Sequence, residues 1–186
     1  MFALHLGKIR NGQLDAFGAL YDMSYDRVYR FIYHRTGDHE KSQDIVADTY
    51  MKALRRISGF RGNHEGEFFS WIYRIAYTTM VDDSRSSQQT EELNDDLGYS
   101  PDIGQDIDNS SKLSEVMDFL QTLTERERTL LTMRIWGGLS YAEISEITGE
   151  SVANAKKIVS RTMAKISANI TYLFIFSLLF SYVSQY

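Results

Sequence analysis

Cysteine is absent from this 186-residue chain. There is therefore no disulfide framework and no thiolate metal site, which fits a reducing compartment. Proline occurs once, at Pro101, and no regular turn spacing of the kind that punctuates β-sandwiches is present, so helix is expected almost throughout. The four histidines, His5, His34, His39 and His64, are scattered, and no two share an i, i+4 helical face that could hold a metal. Asp82 and Asp83 are adjacent and diverge on a helix. No glycine-rich phosphate loop of the P-loop pattern occurs. These absences argue against an enzyme, and neither metal nor cofactor is expected. The opening MFALHLGKIRNG holds too short an apolar run for a secretory signal. Two further gaps are local: Lys and Arg are missing from Ser87 to Ser110, and charge of either sign is missing from Ile166 to Tyr186.

With 43% hydrophobic and 24% charged residues the chain is globular, long enough for one medium domain or two small ones. Its formal charge of −5 argues against a nucleic-acid partner until it is divided. Residues 1–86 carry 12 Lys and Arg against 11 Asp and Glu, and residues 111–186 carry 8 against 7. The remaining 7 acidic residues lie in 87–110. Neither flanking part is repelled by phosphate on net charge, so local clusters decide.

Apolar residues recurring at spacings of three and four predict a helix from Asn11 to Thr36, closed by Gly37, and a second from His39 to Ile57 with Asp44, Asp48 and Lys52 outward. Ser58 to Gly66 is a loop with three glycines. A third helix, from Glu67 to Arg85, is dense in aromatics. Residues 87–110 are rich in Ser, Gln, Asn, Asp and Glu and read as a flexible acidic linker. A second helical module begins at Ser111, with a capping box at Thr124 and Glu127.

The stretch from Leu139 to Arg161 reads as two short helices joined by a tight turn. Ser140 and Glu143 have capping-box spacing, Gly149 supplies the turn, and Ser151 caps the second helix. Val152, Ala155, Ile158, Val159 and Met163 are expected inside. Ser151, Ala153, Asn154, Lys156, Lys157, Ser160 and Arg161 are left outward, a polar and basic face suited to the major groove. The spacing alone equally fits a helical hairpin with a solvated face.

The order of parts resembles a sigma factor of bacterial RNA polymerase, of the short extracytoplasmic-function type within the sigma-70 family. The matching stretches are FGALYDMSYDRVYRFIYHRTGD, SQDIVADTYMKAL and FRGNHEGEFFSWIYRIAYTTMVDDSR in the first module, and LTERERTLLTMRIWGGLSYAEISEITGESVANAKKIVSR in the second. The resemblance implies an all-α, two-domain protein: a region-two domain at 11–86, the linker at 87–110, a region-four helix-turn-helix domain at 111–168, and an apolar tail at 169–186. It implies core RNA polymerase, promoter DNA and an anti-sigma factor as partners. Asp44, Asp48, Tyr50 and Lys52 would face polymerase. Phe60, Arg61, Asn63 and His64 of the loop, with Trp71, Tyr73, Arg74, Tyr77, Thr78 and Arg85 of the third helix, would melt and read the minus-ten element. Most of the aromatics there also suit a core, and Trp71 suits either role. The chain departs from the family pattern at Tyr77, Thr78, Asp83, Ser84, Ala155 and Ile158, which bears on the bases preferred and on one phosphate contact.

Two other functions fit parts of the chain. LTERERTLL and the hairpin also resemble a LuxR-type activator, but the first module lacks the alternating strands and helices of a receiver. The tail, ITYLFIFSLLFSYV from Ile170 to Val183, is apolar on every side of a helix and must be buried in lipid or protein. It would make the chain either a cytoplasmic protein attached to the inner face of the membrane, or one whose tail packs on itself or a partner. A membrane-attached, protein-binding adaptor is the reading from a different class.

Overall fold

A computed structural model of the chain describes residues 1–91 and 117–167, and every regular element among them is helical. These residues form two compact units, one on each side of 92–116. The acidic stretch beyond Glu91 and the apolar tail lie outside the described residues, so the expectations placed on them are not addressed. Among the described residues no helix is long and apolar enough to cross a membrane.

The first unit holds α1 (Phe2–Arg10), α2 (Phe17–Thr36), α3 (His39–Arg56) and α4 (Glu65–Glu91). The helix expected from Asn11 starts only at Phe17. Gly12 adopts a left-handed φ of 87°, which ends α1, and a 3-10 turn at Leu14–Ala16 leads into α2. The helical pattern was continuous across the break because Leu14 looks like a core residue, yet it is 50% exposed. α1 was not expected; Leu6 and Ile9 bury it, and its Phe2 ring lies 5.8 Å from that of Phe68. Gly37, at φ 72°, closes α2, and the Asp38 carboxylate caps α3 by accepting from the Lys41 N–H at 3.0 Å. Val28, Phe31 and Ile32 of α2 meet Ile45, Val46 and Ala53 of α3 and Phe68, Ile72 and Ala76 of α4 in one core, all of them buried. The backbone of α4 runs on through 87–91, the start of the stretch read as linker. No glycine or proline occurs there, and extending a formed helix is far easier than starting one.

The second unit holds a helical segment α5 (117–122), then α6 (Glu125–Ile135), α7 (Tyr141–Thr148) and α8 (Val152–Ser167). Both expected capping boxes form. Thr124 and Glu127 exchange side-chain and backbone bonds at the start of α6, and Ser140 and Glu143 do so at the start of α7. Gly137 follows α6 so closely that a Cβ would stand 2.5 Å from the Met133 carbonyl, so only glycine fits. Gly149 closes α7 at φ 77°. The inner face of α8 is rotated from the expected one: Ala155, Val159, Thr162 and Ile166 are buried, whereas Val152 and Met163 are 48% and 36% exposed. The buried set follows the helical repeat, and Thr162 is tolerated inside because its hydroxyl donates to the Ile158 carbonyl at 3.0 Å.

Candidate nucleic-acid interface

On α4 the residues assigned to DNA divide by helical angle. At about 100° per residue, Trp71, Arg74, Thr78 and Arg85 fall on one stripe and Tyr73 on the far side. The structure matches that geometry: Arg74, Thr78 and Arg85 are exposed, Trp71 is half-buried, and Tyr73 is fully buried. Tyr73 packs 4.9 Å from Phe31 and donates its hydroxyl to the Arg27 carbonyl at 3.2 Å. Burial pushes its pKa up to about 12. Its expected place on the DNA face is therefore corrected: it is a core residue, and no base can stack on it in this fold. Tyr77 is half-buried at the stripe's edge, with the Arg35 guanidinium 5.9 Å from its ring. Thr78 returns its hydroxyl to the Ile75 carbonyl at 2.9 Å.

The loop before α4 is built by its neighbours. Phe60 is another correction: it is 6% exposed, with its ring 5.1 Å from Trp71 and 6.0 Å from Phe68. It supports Trp71 from beneath and does not present itself. Gly62 lies against that ring, where a Cβ would come within 2.3 Å of it. The Glu67 carboxylate accepts from the Asn63 N–H at 2.7 Å, and His64 Nδ1 accepts from the Glu67 N–H at 3.3 Å, so the start of α4 is capped reciprocally. The Asn63 N–H, with the His64 N–H that also donates to this carboxylate, draws the Glu67 pKa below the usual carboxylate range. Arg10 of α1 donates to the Gly62 carbonyl at 2.7 Å and to Asn63 Oδ1 at 3.2 Å. Arg61, Asn63 and His64 remain exposed on this braced loop. Arg10 and Glu67 were not singled out in the sequence; the three-residue spacing of His64 and Glu67 was the available signal for the cap, and nothing local pairs Arg10 with residues more than fifty positions away.

On α3, Asp44 and Asp48 are exposed, and Lys52 bridges Asp48 at 2.8 Å and donates to Thr79 of α4 at 3.2 Å. With Asp82 and Asp83 they line an open groove between α3 and α4. Tyr50, expected on the same surface, is only 5% exposed. It shares a 2.8 Å hydrogen bond with Ser24 and packs 4.6 Å from the Tyr21 ring. It lies a quarter-turn or more from the outward carboxylates, where α3 meets α2, and so holds the helix that carries them.

In the second unit α7, the Gly149 turn and α8 form the expected helix-turn-helix. Ser151, Ala153, Lys156, Lys157, Ser160 and Arg161 are exposed, and Asn154 is half-buried. Ser151 caps α8 by accepting from the Asn154 N–H at 3.2 Å. Lys156, Lys157 and Arg161 enter no ion pair among the described residues, so the outward face of α8 presents its cations to solvent. Beside it, Lys165 reaches the Glu127 carboxylate at 2.6 Å. Glu150 in the turn is bonded by Asn154, four residues on, and by Arg126, 24 residues before it, and the second contact carries no local signal.

A stripe of exposed cations with a half-buried tryptophan above a braced loop, and a helix-turn-helix with a basic second helix, have the chemistry that suits nucleic acid. Comparison with known proteins agrees. The family model described as "Sigma-70 region 2" matches residues 20–90, and that described as "Sigma-70, region 4" matches residues 113–166. The chain is 31% identical over 166 residues to the ECF RNA polymerase sigma factor BldN of Streptomyces coelicolor, a match covering 83% of this chain and 61% of that protein's length. It is 26% identical over 163 residues to the RNA polymerase sigma factor YlaC of Bacillus subtilis, covering 84% of this chain and 93% of that one. Among solved structures, CnrH in complex with the cytosolic domain of CnrY shares the fold, with a TM-score of 0.66 at 20% identity over 89% of this chain and 94% of that one. The order of the two matched regions, each falling on a separate helical unit with its own exposed surface, places the chain in the sigma-70 family, as a member of its extracytoplasmic-function type.

Proposed function

We propose that this protein binds core RNA polymerase and directs it to a two-part promoter, acting by binding rather than by catalysis, in the cytoplasm. In this reading the first unit takes the minus-ten element. Arg61, Asn63 and His64 of the loop and Trp71, Arg74, Thr78 and Arg85 of α4 meet the opened strand, with Tyr77 at the edge, while Phe60 and Tyr73 hold that surface in place. Melting suits such a surface, because an aromatic face accepts any unpaired base and cations follow the backbone. The second unit places α8 in the major groove of the minus-thirty-five element, with Asn154 toward base edges and Lys156, Lys157 and Arg161 toward phosphates. Asp44, Asp48 and Lys52 dock on polymerase. A similar solved structure, the sigma factor RpoE in complex with the anti-sigma factor NepR from Bartonella quintana, supports an anti-sigma factor as a further partner.

The observation that carries this reading is the pairing of two matched regions with two separate surfaces, one of exposed cations around the half-buried Trp71 and one basic. The test is run-off transcription with purified core polymerase and a randomised promoter library. Enrichment of two spaced elements is expected only when this protein is added. Tight, sequence-specific binding to duplex DNA without polymerase would favour a conventional activator instead.

A further inference from the structure

The first turn of α8 is held by more than its serine cap. Glu150, in the turn before it, is tied to all three helices around it. Its backbone carbonyl accepts from Ser145 Oγ of α7 at 2.5 Å, and its N–H donates to Thr148 Oγ1 at 3.3 Å. Its carboxylate accepts from Nε of Arg126 on α6, from Nη2 of the same residue at 2.6 Å, and from Asn154 Nδ2 on α8 at 2.8 Å. Two parallel N–H groups on a carboxylate fix both planes, so the guanidinium sets the orientation of the Glu150 side chain. Bonding to Arg126 keeps the Glu150 pKa below the usual carboxylate range, so it remains an acceptor only at neutral pH. The Arg126 side chain is 54% exposed, so the pair contributes little to stability and its main consequence is geometric.

An ionised carboxylate dictates which end of the Asn154 amide faces it. The NH2 group must turn toward Glu150, because Oδ1 there would meet oxygen with no proton between them. The amide is thereby prevented from flipping. One N–H is engaged, and Oδ1 and the second N–H remain. Those two groups are the acceptor and donor that match N6 and N7 of adenine in the major groove.

We infer that Glu150, gripped by Arg126, is a positioning residue that sets the Asn154 amide to read adenine at one base pair of the minus-thirty-five element. This rests on the assignment of α8 to that element. Neither residue touches the base; Arg126 orients the carboxylate and the carboxylate orients the amide. Sequence preference at one position therefore depends on a residue 28 places before the reader and on another helix.

The experiment uses the full chain with core polymerase and a library randomised across the minus-thirty-five element. Asn154→Ala and Glu150→Ala should each reduce adenine preference at the same single position by about tenfold. The double variant should lose no more than either alone, and Arg126→Ala should give a smaller loss there. Preferences at the other positions serve as an internal control, since a disordered unit would lose all of them together. Parallel loss at every position in Glu150→Ala would overturn the inference in favour of a structural role. A further change in preference when Glu150→Ala is added to Asn154→Ala would also overturn it, because Glu150 would then contact a base itself. If the unaltered protein shows no minus-thirty-five preference with polymerase, the functional reading of α8 fails and takes the inference with it.

Discussion

The two units solve the same problem with different residues. In the first, one residue type builds the core and reaches the proposed recognition surface. Phe60, Phe68 and Trp71 form a continuous ring contact, with centroids 5.1 to 6.0 Å apart, that runs from the interior to the exposed stripe. In the second, the two tasks are separated. Leu130, Leu131, Met133, Ile144 and Val159 are buried, while serine, alanine, lysine and arginine face outward on α8. A recognition surface that rests on core rings is supported by the whole unit, and the rings beneath it cannot be removed without disturbing the fold. A surface of small polar and cationic residues can be altered residue by residue.

The largest effect that would test this contrast is Tyr73→Ala. It should destabilise the first unit by about 3–5 kcal/mol, the usual result of deleting a large buried aromatic. Hydrogen exchange on the full chain should show lost protection in α2 to α4 and unchanged protection in α6 to α8. If stability holds and only promoter opening falls, Tyr73 meets DNA after all and the contrast is wrong.

Acid should separate the units next. His34 is buried in α2, and burial beside Arg30 lowers its pKa to about 3. It is neutral in the folded unit and takes up a proton on unfolding below an ordinary pKa of about 6.5. The unfolded state then binds more protons, so stability falls as pH drops from about 6.5 toward 3. At pH 5 the loss should be about 2 kcal/mol, confined to the first unit, because residues 117–167 contain no histidine. Denaturant titrations at pH 7 and pH 5, with His34→Gln as the control, measure it. Equal acid sensitivity in both units would remove this difference between them.

A smaller effect distinguishes Trp71 from the rings beneath it. Trp71→Ala should slow open-complex formation on duplex promoters by the equivalent of about 1 kcal/mol, the lower end for one stacked base, and should spare templates carrying a preformed bubble. Loss of folding stability as large as that of Tyr73→Ala would place Trp71 in the core. The smallest change is expected from Lys157→Ala. It should weaken binding to all sequences alike and reduce the salt dependence by about one counterion. A base-specific loss would mean that α8 lies in the groove in another orientation.

The contrast also explains which parts could be read from residues alone. Both capping boxes of the second unit, its glycine turns and the outward cations of α8 were legible, because each depends on residues within one or two turns of one another. Phe60, Tyr50 and Tyr73 were not, because an aromatic ring suits a core and a binding surface equally and only the angle at which it leaves the backbone separates the two. The angle itself could be worked out for Tyr73, which lies opposite Trp71 and Arg74. The break at Gly12 was hidden by Leu14, whose apolar side chain continued a pattern that the backbone did not follow.

Sequence by itself determined the helical class, the order of the two matched regions, the caps and turns that delimit the helix-turn-helix, and the cations on its second helix. These follow from local rules: 3.6-residue periodicity, side-chain capping of nearby N–H groups, and glycine where φ is positive. Tertiary structure alone decided that α1 exists as a packed helix and that its Arg10 braces the loop at Gly62 and Asn63. It alone decided that Phe60 and Tyr50 are buried and that Arg126 reaches Glu150 across 24 residues. Such contacts depend on how whole helices meet, and no local pattern records the residue that will stand opposite once they do.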